Sequence, residues 1–380
     1  MATLNNKTNK VCSRCVMDSS DPEIVFDSAG KCNHCSNAII NLRNLHFKSQ
    51  NYGTKLSDLV TEIKSNPGKD GFHAIMGISG GLDSSYLLHL LSSYDLKILA
   101  VHVDAGWNSI EAVKNINSLV GKLGIELETV VVNWEDVKDL QIAYLESGVT
   151  NQDVPQDHVY FSSLYKFAIK NEIKYVISGS NLVSESILPS SWGQNALDGR
   201  QIKDIHKRFG SRKLKSYPVT YLRQYLWKTL VTEELKVVSP LNYIEYDPTK
   251  AMTELRANYN WQEYGGKHRE SKFTEFFQLI YLPERFAIDK RKAHLSSLIV
   301  SGHLTRDEAI EILNKQPINE IERDNLLRFV SAKLGLENGR LLNYLKMNFV
   351  NSNEFRNENY LRFVLPVAIK AKLIVKRIFG

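Results

Sequence analysis

The sequence predicts an α/β protein in which a parallel sheet, covered on both faces by helices, follows a small cysteine-rich module and precedes a mainly helical C-terminal region. Three observations carry this reading. Short β-branched runs alternate with stretches of helical period between residues 73 and 179, and such alternation implies parallel strands joined by crossover helices. All four cysteines fall within the first 35 residues. Late in the chain, "DKRKAHLSSLIVSGHLTRDEAIEIL" (289–313) reads as two helices, with Thr305 and Glu308 at capping-box spacing. The expected divisions are a zinc-binding four-cysteine module over 1–50, the sheet domain over 51–247 and the helical region over 248–380.

Composition sets broad bounds. A chain of 380 residues exceeds the usual single core, and 43% hydrophobic with 24% charged residues is ordinary for a globular protein. A net charge of +6 suits phosphorylated small molecules, nucleic acid or an anionic surface equally, so it selects no partner. The opening "MATLNNKTNK" lacks the apolar core of a secretory signal, and no stretch approaches the roughly 18 apolar residues of a membrane span. A cytoplasmic location is the expectation.

The first element is the cysteine pattern. "CSRC" (Cys12, Cys15) and "CNHC" (Cys32, Cys35) have the spacing of two knuckles that supply four thiolates to one Zn2+. The alternatives are an iron–sulfur cluster or unmetallated thiols. Four thiolates leave no open position for water, so the role predicted is structural, and His34 is expected to face solvent. With every cysteine committed here, none is left as a nucleophile or sulfur carrier.

The predicted strands are "HAIMGI", "LKILAVHVD" (96–104), "LETVVV" (127–132) and "KYVISG" (174–179); "DSSYLLHLLSSY" and "HVYFSSLYKFAIKNE" space their apolar residues as amphipathic helices do. Between the first strand and the first helix lies "SGGLDSS" (79–85). Gly80 and Gly81 let the backbone approach an anion, Ser79, Ser84 and Ser85 add hydroxyls, and the helix that opens at Asp83 and Ser84 favours negative charge. The loop lacks the Lys-Ser/Thr ending of the Walker type.

The whole string Ser-Gly-Gly-x-Asp-Ser, after a strand and before a helix, resembles the PP-loop of the ATP pyrophosphatase superfamily, which cleaves ATP between the α and β phosphates. That resemblance implies that Ser79, Gly81, Asp83 and Ser84 contact pyrophosphate, with Asp83 near Mg2+. It also implies that the backbone of Val101 to Val103 faces the adenine and that Gly179 borders the nucleotide. Cleavage at the α phosphate activates a carbonyl oxygen, which a nucleophile then replaces.

Longer motifs narrow the class. "CSRCVMDSSDPEIVFDSAGKCNHC", "GISGGLDSS", "VHVDAGWNS", "ISGSNLVSES", "SWGQNALDGRQIKDIHKRFG", "YGGKHRESKFTEFFQ" and "LPERFAIDKRKAHLSSLIVSG" together resemble the N-acetyl sugar amidotransferases (WbpG- and PseA-like) of bacterial surface-polysaccharide synthesis. The similarity runs from about residue 10 to about residue 315. It implies that ATP activates the oxygen of an N-acetyl group on a nucleotide-linked sugar and that ammonia displaces AMP to give an acetamidino sugar. The ammonia would come from a separate glutaminase similar to HisH, often alongside a HisF-like subunit, in agreement with the absence of a spare cysteine and with Ala2 at the second position. The competing enzyme class is a PP-loop tRNA-modifying enzyme that adenylates a base carbonyl; for it, copurifying tRNA would be expected.

Candidate residues follow from local chemistry. In "SWGQNALDGRQIKDIHKRFG" (191–210), Trp192 is a stacking face for a sugar, Asn195 and Asp198 are hydroxyl partners, and His206 with Arg208 are partners for a carboxylate or diphosphate; the plainer reading is a helix with solvated charges. In "YGGKHRESKF" (264–273), Lys267 and then Lys272 are candidates to offset charge on the triphosphate. Before the helix at "NQDVPQDHVYF", Asp157 is expected as an N-cap, whereas His158 or Glu185 would take a proton from attacking ammonia. The tail "YLRFVLPVAIKAKLIVKRIFG" (360–380) combines apolar and basic residues, as a protein-docking, membrane-surface or core helix would.

Overall fold

A computed structural model describes residues 10–48, 52–193, 195–267, 269–337 and 339–365. Among these residues five strands form one parallel sheet: β1 (Ala74–Gly77), β2 (Ile98–Asp104), β3 (Leu127–Val131), β4 (Tyr175–Ile177) and β5 (Lys236–Val238), in the order β3-β2-β1-β4-β5. Ala74 of β1 pairs with Ile98 on one side and Tyr175 on the other. The chain therefore winds outward through β2 and β3 to one edge, then returns to place β4 and β5 on the opposite side. The winding reverses between β1 and β4, where the loops leaving the strands diverge and open a crevice.

The central strands bury both faces. Ala74, Met76, Ile98 and Ala100 join one apolar cluster, while Ile75, Leu99, Val101 and Val103 join the other. This explains why β1 and β2 read as almost unbroken apolar runs. β3 is an edge strand with Val131 exposed. The sequence did not announce β5, a three-residue strand that begins at Lys236 and is followed closely by Pro240.

Helices α1 (Asn33–Lys48) and α2 (Tyr52–Lys64) precede the sheet, and α3 (Leu82–Ser92), α4 (Ile110–Leu123), α5 (Trp134–Ser147) and α6 (Val154–Lys170) follow its first three strands. Ser109 and Asn133 cap α4 and α5 by accepting from Ala112 N and Asp136 N. After β4 come α7 (Leu182–Glu185), α8 (Gly199–Phe209) and α9 (Leu222–Leu226). The region beyond β5 is helical: α10 (Pro248–Tyr259), α11 (Lys272–Phe276) running through a π turn into α12 (Leu282–Phe286), α13 (Arg291–Ser301), α14 (Arg306–Asn314), α15 (Glu320–Leu334) and α16 (Arg340–Lys346). Thr305 and Glu308 form the expected capping box on α14.

The N-terminal module does not stand apart. Val16 N donates to Ser296 Oγ of α13 at 3.2 Å, Arg306 of α14 donates to the carbonyls of Cys12 and Cys15, and Lys292 pairs with Asp18. Ser190 and Ser191, in the segment after α7, donate to Glu23 and Asp21. The module thus ties α13 to the loop that follows β4. The tail beyond residue 365 lies outside the described residues.

Candidate active site

The loop Ser79–Gly81 turns out of β1 at the crevice. Gly80 has φ +77°, and a Cβ there would lie 2.3 Å from the Ala112 carbonyl oxygen of α4. Both the left-handed conformation and the close approach require glycine. The Gly80 carbonyl accepts from Trp261 Nε1 and Asn115 Nδ2, which fixes the turn from behind. Gly81 is the N-cap of α3, so the first-turn N–H groups of that helix point out of the sheet beside the Ser79 and Ser84 hydroxyls, themselves 3.4 Å apart. Backbone donors, hydroxyls and a helix N-terminus here converge on one place suited to a phosphate group.

One cation faces two carboxylates around that place. Lys267 Nζ lies 3.1 Å from Asp83 Oδ2, 2.8 Å from Glu185 Oε1 and 2.8 Å from Ser184 Oγ. Burial alone would lower the Lys267 pKa, but the two carboxylates outweigh it and hold the ammonium charged. Tyr246 donates its hydroxyl to Asp83 Oδ1. Gly265 and Gly266, both with positive φ, turn the chain so that Lys267 reaches α3.

Two cavities meet at this loop. The larger, about 700 Å³, extends beneath the ends of β1, β2 and β4, with Ser79, Val101, Val103, Gly179 and Glu185 among its walls. The smaller, about 360 Å³, lies over the N-terminus of α3 between Asp83, Ser84 and Lys267. Ser79, Gly179, Glu185 and Glu270 line both.

The far wall of the larger cavity carries carboxyl groups for which the sequence motifs suggest no chemical role. Asp153 and Asp157 at the start of α6 and Glu270 ahead of α11 face it together with Lys290 and His294. Burial pushes Asp153 up to about 8, reinforced by Asp157; it pushes Asp157 up to about 6 against the pull of Lys290, and Glu270 up to about 7. Burial, with Lys267 nearby, pushes His294 down to about 3, so its imidazole is neutral. The cavity therefore holds acids that exchange protons near neutral pH.

The structure separates the candidate residues into two groups. Ser79, Gly81, Asp83, Ser84, Val101, Val103, Gly179, Glu185 and Lys267 line the two cavities. Gly80 supports the loop from behind, and Ser85 is fully buried within α3 and lines neither cavity. Lys272 turns to Glu275 at 2.8 Å and also lines neither.

The expectation for His158 is corrected. Its Nδ1 meets the Ala196 carbonyl at 2.6 Å and its Nε2 accepts from Thr220 N at 3.0 Å, so both ring nitrogens are used in packing and neither can relay a proton. α6 begins at Val154, which places Asp157 inside the first turn rather than at the cap. His34 does not face solvent: its Nε2 pairs with Asp21.

The polar stretch 191–210 is also corrected. Trp192 is core, Asn195 accepts from Leu197 N and Arg362, and Asp198 caps α8 and accepts from Glu358 N. His206 pairs with Asp139 at 2.7 Å, and Arg208 with Asp204 at 2.6 Å. None of the five lines either cavity. Their polarity serves to fold the segment onto α5 and the residues near 352–358.

The cysteines form a separate cluster. Their four sulfurs lie within 4.8 Å of one another, with Cys12–Cys35 at 3.7 Å and Cys15–Cys32 at 3.6 Å. Tetrahedral Zn–S bonds of about 2.3 Å require edges of about 3.8 Å. Backbone N–H groups of Arg14, Cys15 and Cys32 point at Cys12 Sγ, a donor shell that suits a thiolate. The donor set fits zinc or an iron–sulfur cluster, and these separations match a single ion.

Residues 73–151 match the phosphoadenosine phosphosulfate reductase domain, which together with the sheet order and the loop gives this region a PP-loop fold. Residues 270–368 match the C-terminal domain described as LPS biosynthesis protein WbpG-like, and the two matches together support the resemblance to WbpG-like PP-loop proteins. No curated protein matches by sequence. Among solved structures, the chain is similar to the U34-tRNA thiolase NcsA from Methanococcus maripaludis with its 4Fe–4S cluster, at 15% identity and TM-score 0.32, covering 80% of this chain and 88% of that one. It is similar to NMN synthetase from Francisella tularensis at 18% identity and TM-score 0.28, covering 60% and 92%. NH3-dependent NAD synthetase from Campylobacter jejuni, in complex with nitrate ion, is similar at 16% identity and TM-score 0.30, covering 56% and 93%.

Proposed function

We propose that the protein is an ATP-dependent amidotransferase that converts the N-acetyl group of a nucleotide-linked sugar to an acetamidino group, in synthesis of a bacterial surface polysaccharide such as LPS O-antigen. One observation carries the reading: the cavity that begins at the PP-loop ends on a wall built by the WbpG-like domain. Glu270, Lys290 and His294 all belong to residues 270–368, so the family-specific part furnishes the chamber beside the phosphate cradle. On this reading residues 1–50, 51–247 and 248–380 act as a structural clamp, an ATP-cleaving domain and an acceptor-binding region.

The acetamido oxygen attacks the α phosphorus of ATP; an O–P bond forms as the bond to the β-phosphate oxygen breaks. Pyrophosphate departs into the cradle of Ser79, Gly81 and Ser84 at the N-terminus of α3, and Lys267 offsets its charge. Asp83 and Glu185, which already share a cation in Lys267, would hold magnesium, which supplies further neutralisation of the phosphates. Ammonium then loses a proton to a buried carboxylate of the far wall, Asp157 or Glu270. Ammonia forms the C–N bond as the C–O bond to AMP breaks. The product is an amidinium, and the second proton leaves with AMP.

All four cysteines lie in the N-terminal cluster, where we assign structural zinc, and none lines either cavity. That disfavours sulfur delivery to tRNA and supports ammonia from a separate HisH-like glutaminase, with a HisF-like subunit alongside. The test supplies protein, ammonium, ATP, magnesium and nucleotide-linked N-acetyl sugars. AMP and pyrophosphate are expected, with a product lighter by about one mass unit as oxygen is exchanged for NH. Release of ADP would refute the reading.

A further inference from the structure

One face of the molecule carries charge and apolar groups that neither cavity uses. On α8, Arg200, Lys203 and Lys207 recur at three and four residues and are exposed. Lys213 and Lys215 follow, also exposed, in a segment that the Asp136 carboxylate anchors through the N–H groups of Lys215, Ser216 and Tyr217. Among the described residues these five cations have no carboxylate partner, while most of the acids around them are engaged: Asp204 with Arg208, Asp139 with His206, Glu135 with Arg212, Glu358 with Arg223; Glu354 is exposed. The face therefore keeps a net positive charge, five cations against the exposed Glu354.

The chain from 352 to 358 runs along the same helix. Gln201 Nε2 donates to the Ser352 carbonyl and Arg356 N to Asp204, both at 3.0 Å, and Phe355 meets Phe209 edge-on. This carries residues 360–365 alongside, where Arg362 donates to Asn195 just ahead of α8. Tyr360, Phe363 and Val364 stand at helical spacing and are 56%, 77% and 57% exposed. The sequence continues through 366–380, outside the described residues, as "PVAIKAKLIVKRIFG"; from 360 to 380 it contains no Asp or Glu.

We infer that this face docks on an anionic lipid bilayer, with Phe363 and Val364 entering the headgroup region while Lys203, Lys207 and Lys213 lie over the lipid charge. A polyanion such as RNA would account for the lysines but not for the uncovered Phe363 and Val364; an anionic bilayer accounts for both. No helix of the described residues is long and apolar enough to cross a membrane, and the attachment inferred is a peripheral one.

The test is flotation of the full chain with phosphatidylglycerol–phosphatidylethanolamine vesicles, against phosphatidylcholine vesicles, at low and high salt. Binding is expected only to the anionic vesicles and should weaken with salt. At roughly fivefold per lysine removed from an anionic surface, K203Q/K207Q/K213Q should bind about a hundredfold more weakly. F363S/V364S should also bind more weakly at high salt, where charge is screened. Both variants change exposed side chains, and an unaltered circular dichroism spectrum checks the fold. Failure of the full chain to float at low salt, or equal binding by the lysine variant, would overturn the inference. So would tight binding to polyuridylate that F363S/V364S leaves unchanged while vesicle binding is absent.

Discussion

Replacing Asp153 by Asn is expected to stabilise the fold at neutral pH, and the size of the gain follows from where the carboxyl sits. Asp153 is 6% exposed, and burial with Asp157 close by pushes its pKa up to about 8, against about 3.9 in an unfolded chain. Below about pH 4 both states are protonated and the group has no effect on stability. Between about pH 4 and pH 8 the folded chain keeps a proton that the unfolded chain releases, so stability falls as pH rises, by up to ~1.4 kcal/mol per pH unit. By pH 7 the cost reaches at most ~4 kcal/mol. Asparagine has the same shape and keeps Oδ1 to accept from Thr274 and Gln156. Urea unfolding should therefore show D153N diverging from the parent as pH rises from about 5 to about 8. Parallel stability curves, or a variant less stable throughout, would refute the placement of a raised carboxyl in this wall.

Other outcomes follow from the same geometry. K267M should keep its fold but lower AMP formation by about 10²–10³-fold, since the cation beside the departing pyrophosphate is lost; a loss under about tenfold in kcat would remove Lys267 from the chemistry. G80A forces a Cβ against the Ala112 carbonyl at a left-handed φ, so a cost of about 2–3 kcal/mol is expected, together with loss of the thermal shift that ATP produces. C32S should reduce bound metal, measured by plasma emission, from about one ion per chain to near zero, and limited proteolysis should then cut near α13 and α14.

What could be read in the sequence was local. The glycine loop is legible because a contiguous string fixes strand, turn and helix at once, and the cysteine cluster because metal geometry restricts spacing. The acidic wall is not local: Asp153, Asp157, Glu270, Lys290 and His294 come from two helices and a loop far apart in the chain, and meet only when α11 and α13 pack beneath the sheet. The polar stretch 191–210 misled for the opposite reason. Asp198, His206 and Arg208 have the chemistry of ligands, but their partners, Glu358, Asp139 and Asp204, include residues distant in sequence that take up every one of them. β5 escaped because three residues cannot show a period.

The seat of the cysteine module on α13 and α14 has a consequence for how the protein is made. Val16 and its partner Ser296 are 280 residues apart. At a synthesis rate of about 5–20 residues per second, the knuckle leaves the ribosome roughly 15–60 s before its seat exists. A cluster closed by metal can fold by itself during that interval. Its apolar surface around Val16 and Met17 must then stay uncovered until translation is almost finished, so a nascent chain starved of metal would lose its first folded piece before its last helices could rescue it.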